Sequence, residues 1–375
     1  MAVESQYKTL LKSDENFQRY LLGSFSSDLL ALPVESFGVG TERERATFLL
    51  IPESKIEKPH WLKVYWKAIR PELLGLTLGQ AVLAAFSLEP LLKINGLSVE
   101  QKSPEFLWTS FACLLVIFFT HAAACLFNDF RDHLQGLDRK SSSQGSRVIQ
   151  KGWSRAFEVR RWAYVNSALA LAIGSSLLWG HWFLLLGLGS LTALAVLFYS
   201  YMTPFWNRLG AGDFWITLLF GPLMYFSIWI SVYSPGVPFE TSKILFEEGI
   251  LLSLCFGLLA SWTFQVRQFQ GIFKRQAGSF RTVVSRLNFD QAKTFISIEA
   301  ILFFALPSFC FYWIWKDFTG ALILIFGMVL SLYQVWDLYH LPSPLSSKMP
   351  QMKAYALRIH STFLGLWLVA LWLIR

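Results

Sequence analysis

Charge is scarce in this chain. Only 15% of its 375 residues are Asp, Glu, Lys or Arg, against 54% hydrophobic, and the mean hydropathy is +0.43. Such depletion excludes an ordinary soluble domain, where about 25% of residues are charged. Cysteine is sparse too: Cys113, Cys125, Cys255 and Cys310 all fall in apolar stretches without paired spacing. That pattern excludes a zinc ribbon or a redox pair and reads as buried small hydrophobes. Met1 to about Pro59 is polar and mixed in charge, so no cleavable signal peptide is expected there. From Ala260 to Phe289 there is no carboxylate at all.

Long apolar runs are what the chain has instead. A window of about 20 residues gives about nine membrane spans, roughly 69–94, 105–129, 157–179, 182–200, 211–233, 247–266, 294–314, 319–335 and 356–374. Lysine and arginine gather before the first span, between the second and third, and between the sixth and seventh. By the positive-inside rule the N-terminus and these loops are cytoplasmic, and an odd span count leaves Arg375 on the far side. The net charge of +8 is therefore mostly topological, and no nucleic-acid stripe is expected. Residues 1–59 read as a small cytoplasmic extension, with Phe17, Tyr20, Leu21, Phe25, Leu29, Leu30 and Leu32 allowing one or two amphipathic helices on the membrane or the core.

The end of the second span carries the chemistry. His121, Cys125, Asn128 and Asp132 share one helical face, with Asp129 turned about 100° away. Gly136 is suited to break the helix and let Asp138 fold back toward Asp129 and Asp132. Carboxylates crowded at a partly dehydrated mouth repel one another and persist where a hard cation such as Mg2+ neutralises them. The bland alternative is a solvent-capped helix end with Asp132 paired to Arg131 or Arg139.

Asn128-Asp129-x-x-Asp132, followed by Gly136 and Asp138, resembles the first aspartate motif of the UbiA superfamily of membrane prenyltransferases. Within it, the chain is similar to the branch that prenylates 1,4-dihydroxy-2-naphthoate in menaquinone synthesis. Trp61-Leu62, Arg70-Pro71, Arg147-Val148-Ile149-Gln150-Lys151-Gly152, Glu158-Val159-Arg160-Arg161, Gly210-Ala211-Gly212-Asp213 and Phe220-Gly221-Pro222-Leu223 agree in order and spacing. The resemblance covers about residues 60–375 and leaves 1–59 outside.

It implies an all-α integral membrane bundle of about nine helices, with a central cavity open to the cytoplasm and laterally to lipid. The implied reaction moves a polyprenyl group from its diphosphate to an aromatic acceptor such as a dihydroxynaphthoate, by Mg2+-assisted ionisation and electrophilic substitution. Asp129 and Asp132 would hold Mg2+, Asn128 would orient or ligate it, and Asp138 would complete the shell. Arg147 and Lys151 would grip the diphosphate. For Asp213 the resemblance implies a group that takes a proton or orients a hydroxyl at the ring, and its position at a helix start equally suits an N-cap.

The family's second acidic motif, Arg-Asp-x-x-x-Asp followed by Gly-Lys-x-Thr, is altered here. Arg267 and Gly278…Arg281-Thr282 remain, Gln268 stands where the first aspartate would be, and the carboxylates are gone. Either Arg267, Lys274, Arg275 and Arg281 neutralise the diphosphate directly, or ionisation is lost and the chain is a lipid-diphosphate binder or scaffold. An enzyme with another isoprenoid acceptor, or one cyclising the tail, is a further reading. His121 reads as a hydrogen-bonded structural histidine, and Asp337, His340 and Glu299 as isolated helix-end or loop residues.

Overall fold

The computed structural model describes residues 6–38, 41–94, 104–136, 145–178, 182–200, 210–232, 239–269, 282–343, 346 and 348–374. The chain divides into two compact units, Met1–Leu74 with Phe118–Ala170, and Gly75–Ile117 with Leu171–Arg375.

The first unit begins with strand β1 (Gln6–Leu11), helix α1 (Phe17–Leu22), strand β2 (Leu29–Phe37) and strand β3 (Arg45–Pro52). The strands form an antiparallel sheet in the order β1-β3-β2. Period-two alternation places Leu10, Ala46 and Phe48 on the face that meets Phe17, Tyr20 and Leu21 of α1, and Leu134 packs against the same cluster. Phe17 and Phe48 are fully buried, each contributing about 1.5–3 kcal/mol of apolar burial. Pro33 is tolerated because β2 is an edge strand, irregular between Pro33 and Glu35. The helical reading of this region therefore holds only for α1. Leu29, Leu30 and Leu32 lie on β2, since the β-forming run of β3 supplies a partner whose cross-strand packing outweighs local helical spacing.

Helix α2 (Trp61–Ala68) is capped by His60, whose Nδ1 accepts from the Leu62 N–H at 3.4 Å. Arg70 follows in a left-handed conformation (φ +57°), and Pro71 opens helix α3 (Pro71–Ile94) where its missing N–H costs nothing. Helices α4 (Pro104–Leu134) and α5 (Ala156–Ser176) come next. Gly136, at φ +72°, follows the end of α4.

The second unit continues with α6 (Trp182–Ser200), α7 (Gly212–Leu218), a π turn at Leu219–Leu223, α8 (Met224–Val232), α9 (Phe239–Phe269), α10 (Phe289–Trp315), α11 (Phe318–Tyr339) and α12 (Met349–Leu373). Cys255, Phe256 and Leu259 of α9 have no solvent exposure, and α7, the π turn, α10 and α12 pack on this helix. At the π turn the backbone of Gly221 departs from helical angles before Pro222, and a Cβ on Gly221 would strike the Ser253 carbonyl. Gly257 meets α7 equally closely, since a Cβ there would strike the Thr217 carbonyl. Asn288 and Gln291 form a reciprocal capping box at the start of α10.

Eight helical segments among the described residues are long and apolar enough to cross a membrane, and the protein is an integral, multi-pass membrane protein. All nine expected spans fall on helices. The third, α5, drops out of the eight because Glu158, Arg160, Arg161 and Asn166 dilute its first half. Most of α6 lacks protein cover, as suits a helix facing lipid.

Candidate active site

The end of α4 organises the first unit's polar centre. Asn128 and Asp129 are buried, at 7% and 3% exposure. One helical turn links Asn128 to Asp132, the Asn128 amide Nδ2 donating to Asp132 Oδ2 at 2.9 Å. A turn earlier, His121 Nε2 lies 3.5 Å from Cys125 Sγ, so this face has the polar composition its spacing implies, with His121 partnered inside the helix. Asp129 points elsewhere. Its Oδ1 forms a salt bridge with Arg70, and its Oδ2 accepts from the hydroxyl and, at 3.4 Å, the amide of Ser146.

Ser146 leads into a compact turn bearing the cations. Lys151 N–H donates to Arg147 O at 3.0 Å, Gly152 N–H to Ile149 O at 2.9 Å and Trp153 N–H to Val148 O at 3.0 Å. Arg147 is held at φ +59°, and its buried Nε has no hydrogen-bond partner among the described residues. Lys151 and Lys67 lie over the Trp153 ring, their Nζ atoms 4.5 and 4.6 Å from its centroid. Partial burial, then the neighbouring ammonium of Lys151, and then Lys63 and Arg147, hold Lys67 below the usual lysine range. Guanidinium and ammonium groups gathered in this way can attract a multiply charged anion.

No group of three His, Cys, Asp or Glu side chains able to hold a metal occurs among the described residues, and Asp138 lies outside them. Two carboxylates and a carboxamide on one helix end are all-oxygen donors. That suits Mg2+, which typically takes one or two carboxylates and completes its shell with substrate phosphates and water. By donor type these residues suit such an ion, while in this structure both Asp129 oxygens are engaged by Arg70 and Ser146.

The second unit has its own polar cluster. Asp213 is not the N-cap of α7, that place being taken by Ala211; its Oδ2 accepts instead from the Val283 amide at 2.8 Å. An antiparallel bridge between Ala211 and Thr282 brings the two segments together. Gln265, 1% exposed, donates Nε2 to Glu299 Oε1 at 3.2 Å. Glu299 is thus neither isolated nor at a helix end, since it sits inside α10, whereas Asp337 lies in the last turn of α11. His340 does occupy a helix end, as the C-cap of α11. Arg267 stands near the end of α9 with its guanidinium 5.9 Å from the Phe264 ring centroid. Lys274, Arg275 and Arg281 lie outside the described residues.

Sequence reasoning missed the roles of Arg70, Ser146 and Lys67, and the pairing of Gln265 with Glu299. For Arg70 a signal existed in the Arg70-Pro71 pair at the head of a span. For the others, partners distant in the chain meet only in the fold.

A profile of the UbiA prenyltransferase family matches residues 94–361. The chain is 24% identical over 258 residues to 1,4-dihydroxy-2-naphthoate octaprenyltransferase of Haemophilus influenzae, covering 65% of this chain and 77% of that one. Among solved structures, a UbiA homologue from Archaeoglobus fulgidus bound to GPP and Mg2+ superposes with a TM-score of 0.55 at 15% identity, covering 82% of this chain and 99% of the other. A structure described for digeranylgeranylglyceryl phosphate synthase in membranes gives 0.51 at 15% identity, covering 83% and 96%. With well over half its length matched by one family, this chain belongs to the UbiA prenyltransferase family.

Proposed function

We propose that this prenyltransferase moves a polyprenyl group from its diphosphate to an aromatic quinone precursor of the dihydroxynaphthoate type, at the cytoplasmic side of the cell membrane. The observation that carries this reading is the oxygen-rich end of α4 joined through Ser146 to the cationic turn of Arg147 and Lys151. The relative in Haemophilus influenzae supports the aromatic acceptor, and the neighbours bound to GPP or DMAPP with Mg2+ support a diphosphate donor with a divalent ion. Asn128, Asp129 and Asp132, with Asp138, are the residues that would hold Mg2+. When bound, the ion withdraws charge from the diphosphate oxygens and weakens the allylic carbon–oxygen bond. Arg147 and Lys151 bind and orient the departing diphosphate, and the salt bridge from Arg70 fixes the position of Asp129. Arg267, Lys274, Arg275 and Arg281 add donors in place of a second set of carboxylates. Asp213 is the group proposed to take the ring proton or orient its hydroxyl. The apolar tail runs into lipid.

A second reading is a catalytically silent lipid-diphosphate binder, favoured by the missing carboxylates between Ala260 and Phe289. Purified protein with Mg2+, a long-chain prenyl diphosphate and dihydroxynaphthoate separates the two. Prenylated product should form, and Asp132→Asn should lower its rate on the order of 100-fold. Tight donor binding without diphosphate release would select the silent reading. Unchanged quinones in cells lacking the protein, together with no release from any donor, would remove the enzyme reading.

A further inference from the structure

The cationic turn holds two features that oppose its own conformation. Arg147 occupies the left-handed region, which is unfavourable for a residue with a Cβ. Lys67 and Lys151 share one tryptophan ring although like charges repel. Arrangements of this kind persist only where the surroundings over-determine them.

The N-terminal segment that carries the sheet, chiefly its connections around β2 and β3, supplies those surroundings. The Arg155 guanidinium donates through Nη1 to Gly23 O at 3.2 Å and to Ser26 O at 2.6 Å, and through Nη2 to Ser27 O and the Glu53 carboxylate. Its planar, many-donor fork suits several acceptors at once, as an ammonium does not. The Arg155 amide is in turn held by Glu158 Oε2 at 2.7 Å. In the middle of the turn Gly152 has φ +68°, and an added Cβ would collide with Ile56 Cδ1, with Leu30 and Leu32 of β2 close behind. The sheet also reaches the acidic side: His133, next to Asp132 and 1% exposed, donates Nε2–H to Leu21 O at 3.0 Å. So the residues 6–58 touch both the turn that bears the cations and the helix end that bears the acids, and they lie outside the residues the family profile matches.

We infer that the N-terminal sheet is a brace for the substrate-diphosphate site, with Arg155 as its positioning residue: it locks the turn so that Arg147 and Lys151 present a preformed anion cradle. The inference rests on the diphosphate reading of that turn, and its physical content is separately measurable.

The test uses the full-length protein and Arg155→Ala. Hydrogen exchange at the Lys151, Gly152 and Trp153 amides should accelerate about 10-fold or more, because local opening no longer breaks the clamp. In the same variant the KM for the prenyl diphosphate should rise about 10-fold, with kcat and the acceptor KM within about twofold of wild type. Arg155→Lys, keeping charge and some donors, should recover part of both effects. Should Arg155→Ala not fold, Glu53→Gln removes a single clamp contact and should shift exchange and donor KM in the same direction. Unchanged exchange in a folded variant overturns the inference, as does a uniform loss in kcat and both KM values. If wild-type protein binds no prenyl diphosphate, the functional reading fails, and the exchange difference alone decides whether the sheet braces the turn.

Discussion

Two buried acidic centres in this protein are satisfied in opposite ways. In the first unit Asp129 is matched by a guanidinium and a serine, a charge paired with a charge. In the second, Asp213 and Glu299 are reached by a backbone N–H and the Gln265 amide, which are neutral donors. Asp213 Oδ1, Glu299 Oε2 and Gln265 Oε1 each lack a hydrogen-bond partner among the described residues. A buried ion pair is fragile to the loss of either member, because the survivor is left charged in a medium that solvates it poorly. A carboxyl held by neutral donors is far less sensitive to replacement by an amide. The contrast separates an acid whose charge is needed from acids whose shape and hydrogen bonding suffice for the fold.

Substitutions can break that contrast. Arg70→Ala should have the largest effect, about 3–5 kcal/mol of destabilisation, since it strands Asp129. Adding Asp129→Asn to the same chain should recover much of the lost thermal stability in detergent. A single variant as stable as wild type would show that the pair does not hold this end of α4. Next comes Glu299→Gln, expected to leave stability within about 1 kcal/mol or raise it. A large loss in thermal unfolding would mean that Glu299 carries a needed charge, which would erase the difference between the centres.

The smallest effect belongs to a third, more exposed carboxylate. The hydrogen bond from Lys58 is the largest influence on Glu53 and, with the hydrogen bond from Arg155 and the charges of both cations, holds it below the usual glutamate range against the opposing push of burial. A lowered carboxylate contributes stability above its unfolded value and loses it as the pH falls through the folded one. Acid titration of unfolding below about pH 4.3 should therefore be shallower for Glu53→Gln. Identical acid limbs would show that Glu53 adds nothing to the sheet.

The spans were legible because a lipid-crossing helix needs a long apolar run and little else, and α5 was the marginal case because polar residues crowd its first half. The Asn128–Asp132 contact was legible for a related reason: i,i+4 geometry is local. Arg70 with Asp129, Ser146 with Asp129 and Gln265 with Glu299 were not, since 59, 17 and 34 positions separate them in the chain. The sheet was misjudged because apolar spacing in a short polar segment suits either period, and the deciding strand partner lies several residues away.

Where the π turn meets α9, two helices touch through glycines, Gly221 against the Ser253 carbonyl and Gly257 against the Thr217 carbonyl. Neither position has room for a first methyl group, so no single substitution to a larger residue opens a path along which the other might later adjust. For natural variation this contact is a dead end in both directions, because either glycine can change only where the backbone shifts with it.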